Sequence, residues 1–232
     1  MIDAILFDKD GTLIDFQKTW GTFMHVFIEE LAEGDADLAT NMARALSFDL
    51  QTRLFAPDSP VIAGTPDEAT TLLQPFVPHW THAELQKRGD DQSKLAALFP
   101  VAPLRPLFTQ LRASGVKLGV ATNDNEDAAR YQMEQLGIGD LFAQIIGFDS
   151  GFGGKPAPGM VTGFCQAQGV DPARCVMVGD SLHDLHAGRA AGTQTVAVLT
   201  GVATRTDLAP YADVVLPDIS GLPAWLETKT DL

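Results

Sequence analysis

The sequence is short of cysteine, short of cations and free of long apolar runs, and each shortage removes a class of protein. Its two cysteines, Cys165 and Cys175, sit in apolar surroundings with neither a CxxC spacing nor a histidine partner. A structural disulfide and a thiolate metal site are therefore not expected, and a reducing, cytoplasmic setting is. No run of about 18 apolar residues occurs, so no membrane span is expected. The opening Met1-Ile2-Asp3-Ala4 carries no basic segment ahead of an apolar one, so no secretory leader is expected. Lysine and arginine number 16 against 30 aspartates and glutamates, a formal net charge of −14. Such a surface repels nucleic acid and anionic membranes, and neither is expected as a partner. It also repels anionic metabolites, so a site for one would need a metal or a well-placed lysine.

What is present is a chain of 232 residues, 45% of them hydrophobic, which suits one large domain or a core with a smaller insert. Short apolar, β-rich runs recur at Ala4–Phe7, Lys117–Thr122, Gln144–Gly147, Cys175–Gly179, Thr195–Val198 and Val214–Leu216. Helical patterns separate them at Leu104–Ser114, Glu126–Leu136, Gly159–Gln168, Asp184–Ala191 and Leu222–Leu226. Strands alternating with helices predict an α/β fold, a Rossmann-like parallel sheet covered on both faces. Gly115, Gly137, Gly169 and Gly192 follow helical patterns, as C-terminal stops do.

Residues 15–99 break this rhythm. Phe16–Ala32, Ala36–Phe48 and Thr65–Pro75 read as amphipathic helices, Thr81–Phe99 adds a fourth, and no strand is expected among them. The expected organisation is a core of residues 1–14 and 100–232, with a helical cap of residues 15–99 inserted after the first strand. Pro100, Pro103 and Pro106 mark the return to the sheet.

The chemistry begins in Phe7-Asp8-Lys9-Asp10-Gly11-Thr12-Leu13. In an extended chain the two carboxylates point to one side of the backbone. Clustered oxygens suit a hard cation such as Mg2+, and one carboxylate could attack while its neighbour handles protons. Asp-x-Asp-Gly is equally an ordinary turn sequence. Taken singly, Thr122 reads as a strand-end turn residue, Lys155 as a loop charge, Asp180 as a helix cap and Asp184 as an exposed helix residue. Their order separates the readings. Each follows its own strand, and in a parallel sheet the strand C-termini share one edge, where ligands bind. Asp180 and Asp184, four apart, share a helix face. By alternation Lys9 is expected to turn away from the carboxylates, toward the loop after Val178, and His183 to lie at the surface.

In this order the residues resemble the four motifs of the haloacid dehalogenase (HAD) superfamily hydrolases, in the phosphoglycolate phosphatase-like group. Asp8-Lys9-Asp10-Gly11-Thr12 resembles the first motif, Val120-Ala121-Thr122-Asn123 the second, Lys155-Pro156 with Pro158 the third, and Val178-Gly179-Asp180-Ser181-Leu182-His183-Asp184 the fourth. The insert matches the family's first cap position in place and size, not through specific residues. The resemblance implies an Mg2+-dependent phosphatase acting on a small phosphorylated metabolite through an aspartyl-phosphate. Asp8 would be the nucleophile and Asp10 the proton carrier. Asp8, the Asp10 carbonyl, Asp180 and Asp184 would hold the metal or its waters. Thr122, the Asn123 backbone N–H and Lys155 would bind phosphoryl oxygens. Lys9 departs from the apolar residue common there. Asp10 disfavours carbon–halogen cleavage. In the cap, Lys18 and Trp20 lie nearest the first motif in sequence, and Lys18 is the candidate substrate contact. A β-phosphoglucomutase-like phosphotransferase and a catalytically silent binding protein are the alternatives.

Overall fold

The computed structural model describes residues 2–62 and 64–229. In chain order, β1 (Ala4–Phe7) is followed by α1 (Phe16–Ala32), α2 (Ala36–Ala45), β2 (Phe48–Asp49), β3 (Leu54–Phe55), α3 (Pro66–Leu73) and α4 (His82–Ser93). Then come α5 (Leu104–Ala113), β4 (Lys117–Ala121), α6 (Glu126–Gln135), β5 (Gln144–Ile146), α7 (Gly159–Gln168) and β6 (Cys175–Gly179). The chain ends with α8 (Leu182–Ala191), β7 (Gln194–Val198), α9 (Arg205–Leu208), β8 (Val214–Leu216) and α10 (Leu222–Glu227). It divides into two compact units, Met1–Asp15 with Pro100–Leu232, and Phe16–Phe99. Among the described residues no helix is long and apolar enough to cross a membrane.

In the first unit six strands form one sheet in the order β5-β4-β1-β6-β7-β8, and every pairing is parallel. The chain winds outward from β1 through β4 and β5, then returns to the other side of β1 and continues through β6, β7 and β8. Winding reverses beside β1, and that crevice is where doubly wound sheets bind ligands. All four β1 residues are fully buried, as a central strand covered on both faces requires. Ala4 and Leu6 pack with Met160, Phe164 and Ala187 of α7 and α8, while the Phe7 ring meets Phe108 of α5 edge-on at 5.1 Å. The sheet is thus the Rossmann-like core expected, with the anticipated helices between its strands. The glycines at 115, 137, 169 and 192 all adopt positive φ.

The second unit folds around its own core. Met24, Phe27, Ile28 and Leu31 line one stripe of α1 and meet Met42, Phe55 and Leu73, the spacing of an amphipathic helix. Here the sequence expectation needs correction, because β2 and β3 form an antiparallel hairpin where no strand was foreseen. Helix α2 stops at Ala45, and Ser47 takes a left-handed conformation (φ 49°). The Asp49 carboxylate then accepts from the Gln51 and Thr52 amides at 2.8 and 3.0 Å, an Asx-type turn. The Phe48 and Phe55 rings meet at a tilt across the pair, 4.7 Å apart, and the Gln17 amide bonds both backbone groups of Phe55 at 2.9 Å. Helix α4 is also shorter than expected. The Ser93 hydroxyl bonds the Asp90 carbonyl at 2.9 Å, which competes with helical pairing.

Candidate active site

Strand register brings the expected residues to one edge. Phe7 pairs with Val120 on one side and Val178 on the other, so Asp8, Thr122 and Asp180 leave neighbouring strands at nearly one level. The ladder continues one step, with the Asp8 amide donating to Val178 at 2.8 Å. Backbone hydrogen bonds from Leu13 and Ile14 to the Lys9 carbonyl, at 2.8 and 3.1 Å, then close a tight turn. Gly11 sits in that turn at φ 87°, a conformation that favours glycine.

Asp8, Asp180 and Asp184 are all buried, and one carboxylate oxygen from each lies within 4.8 Å of the other two. Lys155 enters this group from the loop after β5. Its ammonium donates to Asp8 Oδ1 at 2.5 Å, Asp184 Oδ1 at 2.6 Å and the Ala121 carbonyl at 2.8 Å. Three donors thus meet three acceptors. Burial alone would lower the Lys155 pKa, but Asp184 and Asp8 more than offset it and hold the amine protonated. The carboxylates move the other way. Burial, aided by Asp184 and Asp10 and opposed by Lys155, pushes Asp8 up to about 7. Burial and the charges of Asp8 and Asp184 also raise Asp180 well above its ordinary value.

With all three carboxylates ionised, one ammonium leaves two excess negative charges in a buried space. A divalent cation would neutralise them, and an all-oxygen donor set suits a hard one. The residues therefore fit a metal such as Mg2+, and the raised carboxylate pKa values describe the site without it.

Several neighbours hold these groups in place. Thr12 donates its hydroxyl to Asp180 Oδ1 at 3.2 Å. Ser181 caps α8, and the Asp184 carboxylate accepts from the Ser181 amide at 3.1 Å and hydroxyl at 2.7 Å. Asp184 is thus an inward-facing capping-box residue, and α8 begins at Leu182, two residues before the expected start. The Asn123 side chain brackets the Lys155 backbone, accepting from its amide at 2.8 Å and donating to its carbonyl at 3.0 Å. Thr122 is buried, and its hydroxyl accepts from the Asp124 amide at 3.1 Å. The Asp10 side chain lies outside the carboxylate trio, paired with Lys9 at 2.8 Å. Lys18 is exposed on α1 of the helical unit, and Trp20 packs edge-on against Phe23.

Sequence reasoning missed Gly201, Thr200 and the direction of Lys9. Gly201 follows β7, and a Cβ there would fall inside the Asp180 carboxylate, as would one on Gly11. The Thr200 hydroxyl donates to the Gly11 carbonyl at 2.6 Å. Reading the residues after the fifth strand, as was done for the first four, would have found both. Lys9 turns toward Asp10 and Asp124, not away from the carboxylates or toward the loop after Val178.

Comparison with known proteins agrees with this geometry. The family model for haloacid dehalogenase-like hydrolases matches residues 2–192. A phosphoglycolate phosphatase of Chromobacterium violaceum is 32% identical, covering 95% of this chain and 95% of its own. A pyrophosphatase PpaX of Bacillus velezensis is 28% identical, over 95% and 94%. The crystal structure of a predicted phosphoglycolate phosphatase from Haemophilus somnus superposes with a TM-score of 0.73 at 19% identity, covering 97% of this chain and 98% of that one. Family, fold and the order of site residues along the strands agree, and the chain belongs to the haloacid dehalogenase-like hydrolases, within their phosphoglycolate phosphatase-like group.

Proposed function

We propose that the protein is an Mg2+-dependent phosphatase that hydrolyses a small phosphorylated metabolite through an aspartyl-phosphate on Asp8. The observation that carries this reading is the buried trio of Asp8, Asp180 and Asp184 joined to Lys155. In the first half-reaction an Asp8 oxygen forms a bond to phosphorus as the bond to the substrate oxygen breaks. Asp10 passes its proton to that departing oxygen. In the second, water attacks the same phosphorus, Asp10 takes the water's proton, and the Asp8–phosphorus bond breaks to release phosphate. Lys155 holds Asp8 through Oδ1 and supplies fixed positive charge. Thr122 and the Asn123 amide hydrogen-bond the phosphoryl oxygens. Asp8, Asp180, Asp184 and the Asp10 carbonyl would hold Mg2+, which when bound supplies charge neutralisation to the transferring group.

The preferred substrate is a phosphomonoester of phosphoglycolate type, supported by the name of the 32% identical relative. Lys18 is proposed to recognise the substrate beyond its phosphoryl group, and an altered KM profile of Lys18→Ala across substrates would bear on it. The test is hydrolysis of p-nitrophenyl phosphate and of a panel of phosphorylated metabolites, with Mg2+ or EDTA. Metal-dependent turnover is expected, together with a phosphoenzyme 80 Da heavier by mass spectrometry (about one added HPO3) that Asp8→Asn does not form. Equal background rates in wild type and Asp8→Asn would overturn the reading.

A further inference from the structure

Lys9 is fully buried, between two aspartates and with no part in the reaction as described so far. Buried lysines are rare unless paired, and this one is paired three ways. Its ammonium donates to Asp124 Oδ2 at 2.9 Å and Gln132 Oε1 at 2.5 Å, and lies 2.8 Å from Asp10 Oδ2. Three N–H groups meet three oxygens. Two of the partners come from another segment, Asp124 after β4 and Gln132 on α6, and the third is the proposed proton carrier.

That segment is itself anchored. Asp124 Oδ1 accepts from the Asn125 amide at 2.8 Å, and Asn125 caps α6 by accepting from Ala128 at 3.0 Å. Gln132 is fully buried, and among the described residues its amide nitrogen has no hydrogen-bond partner. A buried amide left half-satisfied is unfavourable, so the side chain is committed to presenting its oxygen to Lys9. The Lys9 backbone is fixed as well, since its carbonyl closes the turn after Asp10. Burial lowers the Lys9 pKa, but Asp10 and Asp124 raise it by more and the side chain stays charged. An apolar residue would fill the same volume without desolvating an ion. What it could not do is hold the Asp10 carboxylate at a set angle, and proton-transfer geometry tolerates errors of only about 0.5 Å.

We propose that Lys9 is a positioning residue for Asp10, anchoring the carboxylate through Oδ2 so that Oδ1 delivers the proton to the leaving oxygen and collects one from the attacking water. The assignment rests on the role given to Asp10 above. The proton moves from Oδ1 to the departing oxygen as that oxygen keeps the electron pair of the broken phosphorus–oxygen bond.

Leaving groups separate this role from a purely structural one. Since kcat/KM covers steps through the first phosphoryl transfer, its dependence on proton donation is greatest for a basic alkoxide and small for p-nitrophenolate. The alkyl substrate is the one that wild type hydrolyses fastest among phosphoglycolate, glycerol phosphate and sugar 6-phosphates. For Lys9→Met we expect kcat/KM on it to fall roughly tenfold to a hundredfold, and on p-nitrophenyl phosphate at least fivefold less. Asp10→Ala should show the same bias, larger. Equal losses on both substrates in Lys9→Met, beside a biased Asp10→Ala, would overturn the positioning role and leave the phosphatase reading standing. An unbiased Asp10→Ala would overturn the role of Asp10 and this inference with it. Should Lys9→Met fail to fold, Lys9→Met/Asp124→Leu removes one of the two carboxylates left uncompensated. The bias must persist in that variant, and its absence overturns the proposal.

Discussion

Replacing Asp8, the proposed nucleophile, should stabilise the metal-free protein while removing the proposed activity. Asp8 is buried, and burial, with Asp184 and Asp10 adding and Lys155 opposing, raises its pKa from 3.8 to about 7. The sign follows from linkage. A raised native pKa means that the native state holds its proton more tightly than the unfolded chain does. The associated stability is fully present below about pH 4 and is lost as pH rises through about 7. At about 1.4 kcal/mol per pKa unit, ionised Asp8 destabilises the metal-free protein by about 4 kcal/mol at pH 8. Asparagine cannot ionise, yet its amide oxygen still accepts from Lys155. Asp8→Asn in EDTA at pH 8 should therefore melt roughly 10 °C above wild type, at about 2–4 °C per kcal/mol for a chain of this size. At pH 5 the gap should shrink to less than half. Differential scanning calorimetry in EDTA at both pH values, with urea unfolding beside it, measures this. An asparagine variant that melts at or below wild type at pH 8, or a gap that widens toward pH 5, would refute the argument that crowded carboxylates strain the empty site.

The same crowding makes further expectations. Mg2+ should raise the melting temperature of wild type at pH 8 and restore turnover lost to EDTA, while Asp8→Asn, short of one negative charge, should gain less; thermal shift against Mg2+ concentration reads this. Lys155→Met should destabilise the metal-free protein by about 3–5 kcal/mol at pH 8, because it strips the compensating charge from a buried group; urea denaturation checks it, and a loss under ~1 kcal/mol would count against the pairing. Gly201→Ala should push the Asp180 carboxylate aside, and tenfold or more extra Mg2+ should then be needed for half-maximal turnover, a shift typical of a disturbed metal surround; an unchanged Mg2+ titration would count against that close approach.

The core was legible because its physics is local and repeated. Ala4–Phe7, Cys175–Gly179 and Val214–Leu216 are apolar runs bounded by turn residues, and they appear as strands with the expected limits. A parallel sheet then leaves little freedom. Once the strands are ordered, their C-terminal ends share an edge, and Asp8, Thr122 and Asp180 must leave it together. The hairpin of β2 and β3 was not legible for the complementary reason. Each strand is two residues long, too short for alternation to register. What holds it is a left-handed Ser47, an Asx turn at Asp49 and a distant Gln17, none of which has a periodic signature.

Lys9 shows where pattern reasoning reaches its limit within the site itself. Alternation along an extended strand gives the direction of a Cα–Cβ bond, and it was applied to Lys9 as though the strand continued. The strand ends at Phe7, and by Asp10 the chain is already closing a turn onto the Lys9 carbonyl. A lysine side chain also has four methylenes after Cα, enough for its charge to reach back past its own backbone. The electrostatics decide where it goes. A buried ammonium is tolerated only where carboxylates and a carbonyl oxygen converge, and Asp10, Asp124 and Gln132 supply that convergence. The acidic excess first read as a difficulty for an anionic ligand thus has two local answers. Lys155 neutralises part of the charge around the proposed nucleophile, and Lys9 does the same beside the proposed proton carrier. Both lysines are buried and both face two carboxylates, so the two aspartates of the opening motif sit in separate ionic frames. On the proposed mechanism, that separation would let one attack phosphorus while the other moves protons two residues away.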